Sequence, residues 1–214
     1  AHQVLSQLLS HLSQAGGQSP LPQPIDITDM ATIPATPINE SLILKQLDRI
    51  FSASMNVATP GCIGHMDSIP TVMSMLGDLI ASAINNNMLS VEMSPVFSQL
   101  EPLLLKEFAA LFGLGESAGG VLLSGGTLAN IQALAVARNV KFQTLKKGII
   151  GLNKQPVIFV SEVAHTSFQK AAMLLGLGTD AVVSVPTNQD SQMLVKALQE
   201  RINQAKAADQ APFF

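Results

Sequence analysis

Across 214 residues the net charge is −3, 47% of the side chains are apolar and only 13% are charged, which excludes intrinsic disorder and points to a buried core. The basic residues are scattered and give no footing for nucleic acid, the single cysteine, Cys62, excludes an internal disulfide framework, and no apolar run approaches the ~20 residues of a membrane span. So few charges imply surface covered by another subunit or by further chain, and without a signal-peptide pattern at the amino terminus a soluble cytoplasmic protein is expected.

Val4, Leu5, Leu8, Leu9 and Leu12 set an apolar stripe at helical spacing over residues 2–14. Residues 16–39 hold Gly16, Gly17 and five prolines (Pro20, Pro22, Pro24, Pro34 and Pro37) and read as an extended linker. Leu42, Leu44, Leu47, Ile50 and Phe51 mark a second helix, residues 54–70 a loop, and residues 71–86 a third helix stopped at Asn85-Asn86-Asn87. A fourth helix begins after Ser94-Pro95, with Phe97, Leu100, Leu104, Phe108 and Leu111 on its apolar face. The chain divides into an N-terminal helical segment with its linker, residues 1–50, and a domain over residues 51–214. The stripe on the first helix has to be buried on a partner subunit or on the main body.

From about residue 119 the period changes. Val121–Leu123 reads as a strand, Ser124-Gly125-Gly126-Thr127 as a turn and residues 128–142 as a helix. Strands over 156–160 and 181–185 then alternate with helices over 167–175 and 191–207. Such alternation predicts an α/β fold with a parallel sheet flanked by helices, and ligands at the carboxyl ends of its strands. The ending Ala211-Pro212-Phe213-Phe214 reads as the start of another strand, so these residues are expected to belong to a longer chain.

The most specific stretch is GGVLLSGGTLANIQALAVAR, residues 119–138. A Gly-Gly turn leaving as a helix presents free N–H groups at the positive end of the helix dipole, a setting for a phosphate. On the residues alone, a connection that needs glycine only for its geometry accounts for the turn equally well. The spacing is neither that of a dinucleotide fingerprint nor that of a P-loop.

Together with SPVFSQLEPLLLKEFAALFGL (94–114) and SEVAHTSFQKAAMLLGLGTDAVVSVP (161–186), the segment SGGTLANIQALAVAR (124–138) resembles the group II pyridoxal-phosphate decarboxylases, in order and interval. The Ser-Gly-Gly turn resembles the glutamate-decarboxylase branch more than the aromatic branch, and the likeness covers roughly residues 40–214. The resemblance implies the large domain of a fold-type I pyridoxal-phosphate enzyme, incomplete at its C-terminal end and preceded by the helical segment. It implies pyridoxal 5'-phosphate as cofactor, held by the backbone of Gly126, Thr127 and Leu128. The Thr127 hydroxyl would add a bond to the phosphate or else cap the helix. His165 would stack on the pyridine ring and handle protons as the catalytic residue of this part of the chain. Ser167 reads as the cap of the next helix.

In Thr59-Pro60-Gly61-Cys62-Ile63-Gly64-His65-Met66, His65 stands where glutamate decarboxylases have a glutamine near the substrate, which makes it a candidate substrate-binding residue. A histidine that only orders its own loop is the competing reading. The family's cofactor-binding lysine and pyridine-nitrogen aspartate would follow residue 214, so these residues alone are expected to be inactive. Lys141, Lys146, Lys147, Lys154, His2 and His11 read as solvated, and no metal-ligand set is expected. The implied whole is a homodimeric lyase that removes the carboxyl group of an L-amino acid. The rivals are another fold-type I activity (a different lyase or an aminotransferase) and a non-catalytic dimerisation module.

Overall fold

Helix α1 (His2–Gln14) lies against α2 (Glu40–Ala53) in a computed structural model that describes residues 2–64, 66 and 69–214. The chain forms two compact units, Ala1–Asn87 and Met88–Phe214. In the first, Gln7 Nε2 donates to Leu44 O at 2.9 Å and to the Asp48 carboxylate, and the His11 ring stacks on Phe51 with centroids 4.8 Å apart. His11 is therefore not the solvated residue expected: its flat face covers that of Phe51. Asn39 caps α2 by accepting from Leu42 N at 2.9 Å, as a short polar side chain at a helix start does.

The linker is less open than its prolines suggest. Short 3-10 turns form at Ala15–Gly17 and Thr28–Ala31, and Arg49 reaches back to both Asp29 carboxylate oxygens at 2.7 and 3.0 Å and to Asp26 O at 2.6 Å. Asn56 Nδ2 closes the other end on Ala15 O at 2.6 Å. Helix α3 (Val72–Ile84) starts at the Thr71 cap and stops where Asn85 enters the left-handed region at φ 48°, the stop that the Asn triplet predicts.

In the second unit, α4 (Phe97–Leu111) starts after Ser94-Pro95, as expected, but lacks the expected burial. Leu100, Leu104, Phe108 and Leu111 stay exposed, and of its residues Ala109 alone is buried. The strand expected at Val121–Leu123 does not form. A strand needs a neighbour to complete its ladder, and the Leu122 amide instead donates to Glu101 Oε1 of α4 at 2.8 Å. Helix α5 (Gly126–Phe142) begins two residues earlier than expected and is followed by one turn, α6 (Thr144–Lys147).

Three parallel strands, β1 (Pro156–Ser161), β2 (Val182–Val185) and β3 (Ala211–Pro212), form a sheet in the order β2-β1-β3. Prolines are tolerated at Pro156 and Pro212, the first residue of β1 and the last of a two-residue edge strand. Phe213 N donates to Val157 O at 3.1 Å and Phe159 N to Phe214 O at 2.8 Å, so the pairing runs on to the last residue, as the apolar ending predicts. Helices α7 (Ser167–Leu174) and α8 (Val195–Ala207) make the crossovers. Helix α8 opens four residues later than expected, and residues 187–193 instead fold on themselves as Asn188 Oδ1 accepts from Asp190 N at 3.0 Å and Gln192 N at 2.9 Å.

The core sits between α5, α7 and β1: Leu134, Ile158, Val160, Ala171, Ala172, Leu177 and Ala181. Alanines on the inner face of α7 let that helix lie close to the strand. Its end is a paired cap, with Gly176 N donating to Met173 O and Leu177 N to Ala172 O at 3.1 and 2.9 Å. Arg138 Nη1 of α5 donates to Leu175 O at 2.8 Å, a cation at the negative end of α7. Lys154 is exposed, as expected, and pairs at the surface with Asp209 just beyond α8.

Candidate cofactor site

Parallel strands bring their carboxyl ends to one edge, and β1 is the strand at which the order reverses, the place where open α/β sheets bind ligands. Leading off that edge are the segment from Ser161 to Ser167 and the exit of β2 towards Thr187.

Gly125 has extended backbone (φ 167°), and Gly126 has no positive φ. A Cβ at either position would meet no atom within 4 Å. Neither conformation nor packing within the chain demands glycine there, so open space beside the backbone is what the pair maintains. The first helical bond of α5 runs from Ala129 N to Gly125 O at 3.0 Å. The amides of Gly126, Thr127 and Leu128 precede it and have no intrahelical acceptor, and all three residues are exposed. Thr127 is the second helical residue and makes no capping bond: the cap position is Gly125, so the capping role considered for Thr127 falls away. A row of free amides at the positive end of a 17-residue helix is a donor set for a dianionic phosphate.

His165 is exposed, in the connection from β1 to α7, and its Nδ1 accepts from the Ser167 amide at 3.1 Å. The neutral ring then carries its proton on Nε2. Ser167 is not the expected cap, because Thr166 takes that position without a side-chain bond. Ser167 is instead fully buried, and its Oγ accepts from Asn130 Nδ2 of α5 at 2.8 Å. That bond brings the helix after the Gly-Gly turn and the histidine segment together. His65 lies outside the described residues.

Sequence reasoning missed Asn130 and Glu162. Asn130 was detectable as an amide four residues before the buried Leu134, on the inward face of the helix. Glu162 accepts from Thr187 N and Thr187 Oγ1, both at 2.6 Å, and those bonds, the hydroxyl's first, hold its carboxyl below the usual carboxylate range. It carried no local signal, since its partner is 25 residues away. Among the described residues no group of three or more His, Cys, Asp or Glu side chains could hold a metal ion, and no helix is long and apolar enough to cross a membrane.

The family described as "Pyridoxal-dependent decarboxylase conserved domain" matches residues 24–214. The chain belongs to this pyridoxal-dependent decarboxylase family. It is 35% identical over 176 residues to a glutamate decarboxylase-like protein of Gibberella zeae, covering 81% of this chain and 34% of that protein. It is 34% identical over 213 residues to aspartate 1-decarboxylase of Aliivibrio fischeri, covering 87% of this chain and 39% of that protein. Among solved structures, mouse CSAD in its apo form superposes with a TM-score of 0.88 at 23% identity, over 100% of this chain and 47% of that one. The chain thus spans between a third and a half of the lengths of these relatives. The α/β architecture with a helical N-terminal part is that of the decarboxylase fold. The family's cofactor is pyridoxal phosphate, and the free amides and open turn at Gly125–Leu128 suit its phosphate group.

Proposed function

We propose that these residues supply the phosphate turn and the ring-facing histidine of a decarboxylase acting on an L-amino acid. The observation that carries the proposal is the bond between Asn130 and Ser167, which ties a helix with three free amides at its start to the segment that carries His165. In this reading the amides of Gly126, Thr127 and Leu128 hold the phosphate, and the open space at Gly125 and Gly126 admits it. His165 lies against the ring of the cofactor and keeps a proton at Nε2. When bound, the cofactor supplies the electron sink for the pair left on the α-carbon as carbon dioxide departs. No residue of these 214 is assigned the role of the lysine or of the aspartate needed beside it.

Substrate selection is assigned in part to His65. Relatives named for aspartate, glutamate and cysteine sulfinic acid direct the choice of substrates to acidic amino acids. A homodimer is the assembly proposed, supported by exposed apolar faces on α1, α3 and α4. A reducing cytoplasm is the compartment proposed, on the single free cysteine. The test is carbon dioxide release by the full-length protein from a panel of acidic and aromatic L-amino acids, with and without added pyridoxal phosphate. Cofactor-dependent release from one of them is expected. Transamination without release, or no binding of the cofactor, would overturn the reading.

A further inference from the structure

We propose that Asn130 and Ser167 are positioning residues that hold His165 in one tautomer, so that its ring presents an Nε2–H donor to whatever occupies the site. The proposal rests on the decarboxylase reading for its consequence in catalysis, but not for the coupling itself.

Ser167 opens α7, four residues before Ala171, which with Ala172 packs fully buried. A hydroxyl fully buried at such a contact costs free energy unless it is bonded, and Asn130 Nδ2 is its partner at 2.8 Å. Asn130 stands four residues after Gly126 and four before the fully buried Leu134, on the inward side of α5. The two polar groups therefore meet between helices, where the buried Ser167 hydroxyl would otherwise lack a partner. That fixes where the first turn of α7 begins relative to the phosphate turn. The Ser167 amide, one of the donors a helix start leaves free, then points at His165 Nδ1 at 3.1 Å. A backbone N–H can only donate, so Nδ1 must accept and the proton of the neutral ring is held at Nε2. The exposed imidazole would otherwise sample both tautomers and rotate freely. No other side chain is bonded to it among the described residues, so the orientation of His165 depends on this one amide.

The experiment uses the full-length protein labelled with 15N-histidine, first without cofactor, in wild type and in the Asn130→Ala, Ser167→Ala and double variants. Wild type is expected to show a single Nε2–H signature for His165, assigned by its loss in His165→Ala. Either single variant should give a mixture of tautomers, with the unfolding midpoint confirming that the fold persists. With cofactor and substrate, kcat should fall about tenfold while KM hardly moves, as for a misaligned proton-handling group. The double variant should be no worse than either single one, because both act through one bond. A single tautomer retained in both variants overturns the proposal, as do effects that add. A change confined to cofactor affinity also overturns it, by showing that Asn130 acts at the phosphate turn. A wild-type protein that releases no carbon dioxide overturns the decarboxylase reading instead. The tautomer result, read without cofactor, still decides this one.

Discussion

The Glu162 carboxylate receives both the amide and the hydroxyl of Thr187, each at 2.6 Å, and so ties the residue after β1 to the exit of β2. Glu162 N extends the ladder by donating to Val185 O at 2.9 Å. The two strand ends that flank the candidate site are therefore joined by one residue at the edge of the sheet.

That clamp should be sensitive to acid. Hydrogen bonds from Thr187 lower the Glu162 carboxyl from its ordinary value of 4.5. A carboxyl lowered in the folded state contributes stability above its unfolded value, and the contribution is lost as pH falls through the lower folded value. From pH 7 down to about 4.5 the melting temperature of wild type should exceed that of Glu162→Gln by a constant margin, which shrinks at lower pH. Melting curves of the two proteins at matched pH check this, and a margin that stayed constant to pH 2 would remove the role given to the carboxylate.

Gly126→Val separates folding from binding. A Cβ at Gly126 meets no atom of the chain within 4 Å, so the fold should survive, apart from the modest helix cost of a β-branched residue. In the full-length protein, cofactor affinity should fall about tenfold to a hundredfold, the worth of one or two hydrogen bonds to a charged group. Titration with pyridoxal phosphate, followed by absorbance, measures it. Unchanged affinity would show that the phosphate is held elsewhere.

Gly176 is the opposite case. It sits at φ 73° behind α7, and a Cβ there would come within 2.6 Å of Ile149 Cδ1. Gly176→Ala should destabilise the protein by about 1–3 kcal/mol, from backbone strain with the crowding added. Denaturant unfolding of Gly176→Ala, alone and with Ile149→Val, tests both parts, since the second change relieves the crowding only.

Exposed apolar faces give an assembly prediction. Leu5 and Leu9 on α1 and Leu103 and Leu111 on α4 are about half exposed or more. Burying each would contribute about 1.5–3 kcal/mol. The full-length protein should sediment as a dimer over the whole working concentration range, and removal of residues 1–50 should shift it towards monomer or aggregate. A soluble, active monomer in either form would refute the dimer.

What the sequence by itself determined was local. Asn85 stops α3 because a short amide tolerates the left-handed region, and the apolar run at 156–160 makes a buried strand. The Gly-Gly turn before α5 and His165 after a strand were legible because periodicity and glycine act within a few residues. Tertiary structure decided the rest. Val121–Leu123 has strand composition but no adjacent strand, and a ladder cannot be completed alone. One face of His11 is covered by Phe51, forty residues away in sequence. Ser167 carries the composition of a helix cap, yet its burial turns it towards Asn130, and Glu162 finds Thr187 only once β1 and β2 lie side by side. A hydrogen bond between distant residues depends on where packing puts them, and no local pattern carries that information.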